Sequence, residues 1–252
     1  MFTDTHTHLY YAENAPDVVN RALESGVDRL IMPGVDLGAI KPMKTLADHF
    51  PNNIRLTMGL HPTEVKEDAD DVLDAILTEL QNDKRYIGVG EIGIDLYWDK
   101  TFREKQMQVF DRQLEAASQM SLPVIIHCRE GLDETLEVLE SYPNVNRVFH
   151  CFSGNIGDVE RILSQHETSY FGIGGVVTFK NSTLRNTLCA IPHNRILLET
   201  DSPYLAPVPY RGKTNESAYL PYVARSVAET LAYSLEEVAS LTASNSKQLF
   251  GF

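Results

Sequence analysis

Short apolar runs recur along the chain, with amphipathic stretches of helical period between most of them. The runs at 2–8, 29–33, 54–60, 87–92, 124–128, 147–152, 168–172 and 195–200 are rich in Val, Ile, Leu, Phe or Met. Most are bounded by Gly, Pro or Asn, and their continuity predicts strands buried on both faces. Between them, 67–81 sets Val72, Leu73, Ile76, Leu77 and Leu80 on one helical face. The stretch 102–120 does the same with Phe102, Met107, Phe110 and Leu114. Further helices are expected at 17–25, 132–141, 158–164, 183–190, 219–233 and 235–249, the last opened by a Ser234/Glu237 capping box. Alternating strands and helices imply parallel strands joined by crossovers, and eight such units fit a closed (β/α)8 TIM barrel, an α/β fold. An open doubly wound sheet would need a glycine-rich phosphate turn after an early strand, and neither GxGxxG nor GxxxxGK(S/T) occurs.

The length of 252 residues suits one such barrel, expected as a single domain over 1–252 with no linker or repeat. The proline-bearing stretch 203–217 reads as an ordered active-site loop. Hydrophobic residues at 43 % and charged residues at 23 % exclude a largely disordered chain. The apolar runs are too short for a membrane span, and the opening MFTDTHTHL has neither the basic nor the apolar region of a signal peptide. The three cysteines form no CxxC pair, which argues against both a thiolate zinc cluster and a disulfide framework. A reducing cytoplasm is the expected location. With 35 acidic against 22 basic residues the net charge is −13, which argues against broad, sequence-blind affinity for nucleic acid.

Barrel enzymes place their chemistry at the C-terminal ends of the strands. Here those ends carry His6 and His8, then His61, Glu91, His127, His150 and Asp201. Side chains alternate along a strand, so His6 and His8 share a face, as do Ile125 and His127. By the same parity Cys128 and Cys151 are expected to pack outward against helices as small hydrophobes. Asp4 and Glu199 have inward parity one layer lower and suit an orienting role. His49, His166 and His193 read as structural. Glu91, inside the apolar run IGVGEIGI, demands a cation. Four histidines and two carboxylates at strand ends form the donor set of a metal site, suited to Zn²⁺, Mn²⁺ or other divalent ions, with Mg²⁺ usually preferring oxygen-rich sites.

The same residues carry a resemblance. The segments DTHTHL (4–9), GLHP (59–62), GEIGID with Tyr97 (90–97) and LPVIIHCR (122–129) appear in order. They are followed by HCFSG (150–154), ETDSP (199–203), RGKTNE (211–216) and NSKQLF (245–250). Together they resemble the TatD family of metal-dependent deoxyribonucleases, within the amidohydrolase-like barrels. The resemblance implies two divalent ions. His6, His8 and Asp201 would hold one, His127 and His150 the other, and Glu91 would bridge where related amidohydrolases use a carbamylated lysine. Two departures are small: Ile94-Asp95-Leu96-Tyr97 stands where the family often has Leu-Asp-Tyr, and Thr214-Asn215-Glu216 where it often has Arg-Asn-Glu.

The expected reaction is hydrolysis of DNA phosphodiesters, on single strands or 3′ ends, by a water activated at the ions with help from Asp201. Glu91 would set the separation of the ions. Arg129 is a candidate for a phosphate oxygen, against a surface ion pair with Glu130 or Glu134. Ser153 and Gly154 could cradle the same phosphate through backbone N–H groups. Arg211 and Lys213 either contact the nucleic-acid backbone or form a solvated face. His61 contacts substrate or orients a ligand. Tyr97 and Trp98 either stack on a base or cap the barrel mouth. The competing reading is hydrolysis of another ester or amide on the same centre, such as a D-aminoacyl ester on tRNA. A non-catalytic scaffold fits poorly, since the full set of candidate ligands is present. No membrane contact and no obligate protein partner is expected.

Overall fold

The computed structural model describes residues 1–252 and is a (β/α)8 barrel. Eight parallel strands follow one another in chain order. They are β1 (Phe2–Asp4), β2 (Val27–Pro33), β3 (Ile54–Met58), β4 (Tyr86–Asp95), β5 (Val124–Arg129), β6 (Arg147–Phe149), β7 (Tyr170–Ile173) and β8 (Ile196–Leu198). The ring closes between its last and first strands. Thr5 N–H donates to Leu198 O at 3.0 Å, Asp201 N–H to His6 O at 2.9 Å and His8 N–H to Ser202 O at 2.8 Å.

Helices α1 (Ala15–Glu24), α2 (Ile40–His49), α3 (Ala69–Asn82), α4 (Arg103–Met120) and α5 (Leu132–Leu139) surround the first half of the ring. The second half is covered by α6 (Ile156–Gln165), α7 (Leu184–Leu188), α8 (Leu220–Leu231) and α9 (Leu235–Phe250). Two apolar layers result. The larger unites helix faces with the outer faces of the strands and includes Leu30, Met32, Leu73, Phe110, Ile126 and Val223. The smaller lies inside the ring, where Ile31, Ile125, Val148, Tyr170 and Leu197 meet Leu249 and Phe250 of α9. No helix is long and apolar enough to cross a membrane.

Several boundaries differ from expectation for physical reasons. Helix α2 has no counterpart among the expected helices; its Pro42 lies in the first turn, where a missing N–H costs nothing. Met43, Leu46 and Ala47 are the buried face of that helix. Strands β1 and β6 end at Asp4 and Phe149, earlier than the apolar runs suggest, and β4 runs on to Asp95. The capping box at Ser234 and Glu237 is present, and a second one, Asn155 with Asp158, opens α6.

The pairing of β4 shapes the site. Val89 pairs with Val124 and Ile92 with Ile126, so three steps of β4 span two of β5. The extra residue is a bulge, which re-aims a side chain locally. Glu91 sits in it, and that turns an acid into the barrel mouth.

Candidate metal centre

Glu91 is buried at the centre of five imidazoles, and its two oxygens divide them. Oε2 lies 3.2 Å from His6 Nε2 and 3.5 Å from His8 Nε2. Oε1 lies 2.8 Å from His150 Nε2, 3.0 Å from His127 Nδ1 and 3.1 Å from His61 Nε2. Asp201 joins the first side, with Oδ1 3.6 Å from His6 Nε2 and 3.8 Å from His8 Nε2. Its backbone is left-handed at φ 54°, an uncommon conformation outside glycine that aims the carboxylate back over the ring. The His6–His8–Asp201 group has its ligand atoms within 4.8 Å of one another, as do His61–Glu91–His127 and His6–His150–Glu199.

Hydrogen bonds behind the imidazoles fix which nitrogens carry protons. Tyr10 OH donates to Pro33 O at 2.7 Å, so its oxygen accepts from His8 Nδ1–H at 2.9 Å. The lone pair of His8 is therefore on Nε2, the atom that faces His6, Glu91 and Asp201. On the other side, Asp95 Oδ2 takes His127 Nε2–H at 2.9 Å, leaving the Nδ1 lone pair toward Glu91. Two imidazoles thus point lone pairs at a carboxylate, an arrangement that needs a proton or a cation between them. His61 differs. Its Nδ1 accepts Thr63 N–H at 3.2 Å, so its Nε2–H donates to Glu91. The donor set of neutral imidazoles and carboxylates fits divalent ions, and its backing residues fit the outer support such ligands use.

The electrostatics agree. Burial works against the Glu91 charge, yet His150, His61 and His6 hold its carboxyl well below the usual range. Burial likewise opposes a charge on His150, but Glu91 and Glu199 outweigh it and raise this imidazole well above its ordinary value. His127 is raised for a similar reason, with Asp95 and Glu91 overriding burial. His6 moves the other way, held well below its ordinary value by burial and by His150. Burial pushes Asp201 up to about 6. Without a cation, the cluster answers its crowded charge with protons.

Residues 3–251 match the family model described as TatD related DNase. The chain belongs to the TatD-related DNase family. It is similar to the metal-dependent hydrolase YabD of Bacillus subtilis, at 34 % identity over 99 % of both chains. It is also similar to the 3′-5′ ssDNA/RNA exonuclease TatD of Erwinia tasmaniensis, at 31 % identity over 97 % of this chain and 96 % of that one. The crystal structure of YJJV, a TatD homologue from Escherichia coli K12, superposes with a TM-score of 0.92 at 28 % identity, covering 100 % of this chain and 98 % of that one. This TatD-family chain is a metal-dependent hydrolase acting on ester bonds.

The remaining candidates fall into place around the TatD-family cluster. Arg129 makes no ion pair with Glu130 or Glu134; Glu134 bonds Arg103 at 2.8 Å instead. The Arg129 guanidinium lies 3.7 Å above the Tyr97 ring and 5.3 Å from that of Trp98. Ser153 and Gly154 line the same cleft as Arg129, beside His150. Arg211 rests over Phe179 at 3.7 Å and Lys213 over Tyr210 at 5.6 Å, and neither bonds to the cluster. Asp4 accepts Thr200 N–H at 3.0 Å and Thr200 Oγ1–H at 2.6 Å, tying β1 to the β8 loop beneath the imidazoles. Glu199 sits 3.6 Å from His150 Nδ1 in space that any side chain at Gly172 would fill.

Cys128 packs outward as expected, against Thr135 of α5. Cys151 does not. Strand β6 has ended by then and Cys151 is left-handed at φ 47°, so strand parity no longer governs it, and its backbone N–H donates to Glu199. Burial, with Asp201, Glu199 and Glu91 close by, raises the thiol well above its usual range. Two supports escaped the sequence reading, Tyr10 and Asp95. Asp95 was within reach of it, sharing the parity of Glu91 across Gly93; Tyr10 lies on a turn with no periodicity to follow.

Proposed function

We propose that the protein is an exodeoxyribonuclease, removing nucleotides in the 3′-5′ direction from single-stranded DNA with two divalent metal ions, and that residues 1–252 form this one catalytic unit in the cytoplasm. The observation that carries the reading is the division of Glu91, one oxygen facing His6 and His8, the other facing His127 and His150. His6, His8 and Asp201 would hold one ion, His127 and His150 the other, and Glu91 both. Zn²⁺ and Mn²⁺ suit these donors better than Mg²⁺. When bound, the ions supply charge neutralisation at the phosphorus and a lowered pKa for the attacking water.

The protein's own groups do the rest. Asp201, whose carboxylate faces His6 and His8 at the mouth, would take the proton of the attacking water. Tyr10 and Asp95 hold His8 and His127 in the tautomers that present lone pairs, and His61 holds Glu91 from the side. Arg129 has no carboxylate partner, so its N–H edge is available to a phosphate oxygen, with the Ser153–Gly154 backbone beside it. The name of the Erwinia relative supports a nucleic-acid substrate, as does the cationic character that two ions would give this mouth.

The test is digestion of end-labelled single-stranded DNA with Zn²⁺, Mn²⁺ or Mg²⁺ added in turn. The expected result is a ladder shortening from the 3′ end, abolished in Glu91→Ala and His127→Ala of native fold. No digestion with any of these metals overturns the nuclease reading and leaves another ester or amide, such as a D-aminoacyl-tRNA ester, as the substrate to assay.

A further inference from the structure

His8 and His127 are oriented by side chains behind them, whereas Asp201 is oriented through its backbone. Strand β8 ends at Leu198, so no strand register fixes the turn that follows it. That turn holds Asp201 and Leu205 left-handed, each at φ 54°, a conformation that residues with side chains keep only where their surroundings dictate it. One flank of the turn is tied to the segment of the co-ligands, through Asp201 N–H to His6 O and His8 N–H to Ser202 O. The other flank is tied to one buried residue, Asn215, at the returning end of the same loop. Its Nδ2 donates to Thr200 O at 2.7 Å and to Tyr204 O at 2.6 Å, so its two amide hydrogens go to the two sides of Asp201. Its Oδ1 accepts Glu216 N–H at 2.9 Å, which fixes the end of the amide that carries the hydrogens. The Asn215 backbone closes the clamp, its N–H donating to Pro203 O at 3.0 Å and its carbonyl accepting Ser202 Oγ–H at 2.6 Å. Two residues on, Ser217 Oγ–H donates to Thr7 Oγ1 at 3.2 Å, between His6 and His8. The side chain has to be an asparagine. An aspartate of the same shape would set an oxygen against two carbonyl oxygens, and an alanine would leave both carbonyls without their donor.

We propose that Asn215 is a positioning residue: by holding Thr200 and Tyr204 it sets Asp201 against His6 and His8. It thereby governs how tightly that corner holds its ion, and leaves the His127–His150 corner unaffected. The inference rests on the two-ion reading and adds to it a residue outside the ligand set.

The test is calorimetric titration of metal-free protein with Zn²⁺, in competition with a chelator so that weakened ions stay measurable. It compares the unaltered chain, Asn215→Ala, Asp201→Asn and the double variant. The unaltered chain is expected to bind two ions. Asn215→Ala should weaken one of them by roughly 10–100-fold, the range for a lost outer support of a metal ligand, and leave the other within about threefold. Asp201→Asn should weaken the same ion, and Asn215→Ala added to it should cost less than about threefold more, because changes that act through one group do not add. Full additivity overturns the proposal, since a residue that only stabilises the loop would act with or without the Asp201 carboxylate. Unchanged affinity for both ions in Asn215→Ala overturns it too, as does equal loss of both. Should Asn215→Ala not fold by circular dichroism, Asn215→Ser, which keeps one donor, is judged by the same outcomes. The two readings fail separately. A single ion on the unaltered chain removes the two-ion reading, and the positioning role then stands or falls on whether the two substitutions weaken that ion non-additively. Two ions that both ignore Asn215→Ala keep the two-ion reading and remove the positioning role. No binding of Zn²⁺ overturns both.

Discussion

The inside of the barrel is apolar at one end and crowded with imidazoles and carboxylates at the other, and the change takes two residues. Ile125 is followed inward by His127 on β5, Val148 by His150 at the end of β6, and Leu197 by Glu199 after β8. At roughly 3.3 Å per residue the two layers are about 7 Å apart. The lower layer is closed by Leu249 and Phe250, and its branched side chains each contribute about 1.5–3 kcal/mol through burial. In the upper layer like charges and lone pairs face one another. Stability and chemistry are therefore stacked along one axis, and the apolar plug can hold a mouth that would not hold itself.

Breaking the upper layer should have the largest effect on chemistry. Glu91→Gln is expected to lower kcat by roughly 10²–10³-fold, about 3–4 kcal/mol of barrier, with the metal-free fold intact by circular dichroism. A loss of fold instead would mean that the mouth supports the plug. The lower layer should respond in the opposite sense. Ile125→Ala removes about 2–5 kcal/mol of stability in urea titrations while metal content stays constant. A change in metal stoichiometry there would show the layers to be coupled.

Smaller effects sharpen the boundary. Asp95→Asn, which removes the carboxylate that orients His127, should weaken metal affinity by roughly 10–100-fold in calorimetric titration, and Tyr10→Phe by about tenfold. The smallest effect lies below the mouth, at His166. Burial first and Arg147 second press its pKa down to about 4, and both ring nitrogens are buried without a hydrogen-bond partner. The folded protein then binds fewer protons than the unfolded chain between about 6.5 and 4. Its contribution is complete above about 6.5 and is lost as pH falls through 4. The thermal midpoint should drop across that window, and His166→Asn should flatten the drop.

The barrel was legible because buried parallel strands leave continuous apolar runs, and because His6, His8, His127 and His150 stand where those runs end. What the runs conceal is local backbone geometry. The β4 bulge that turns Glu91 inward has no hydrophobic signature. Cys151 shows the limit of parity, since alternation holds only while the strand lasts. Arg129 stood out by its place two residues past His127, but its rest on Tyr97 depends on a contact between separate segments.

The seam that joins Asp201 to His6 has a consequence for the order of events in synthesis. The two residues stand 195 positions apart in the chain, and their backbones meet only when β8 reaches β1. A ribosome delivers His6 and His8 long before Asp201, so the nascent chain carries half a corner until β8 has been made. Contacts this far apart in sequence form late. Assembly of the His6–His8–Asp201 corner is thereby tied to completion of the ring, which keeps truncated products from forming that corner.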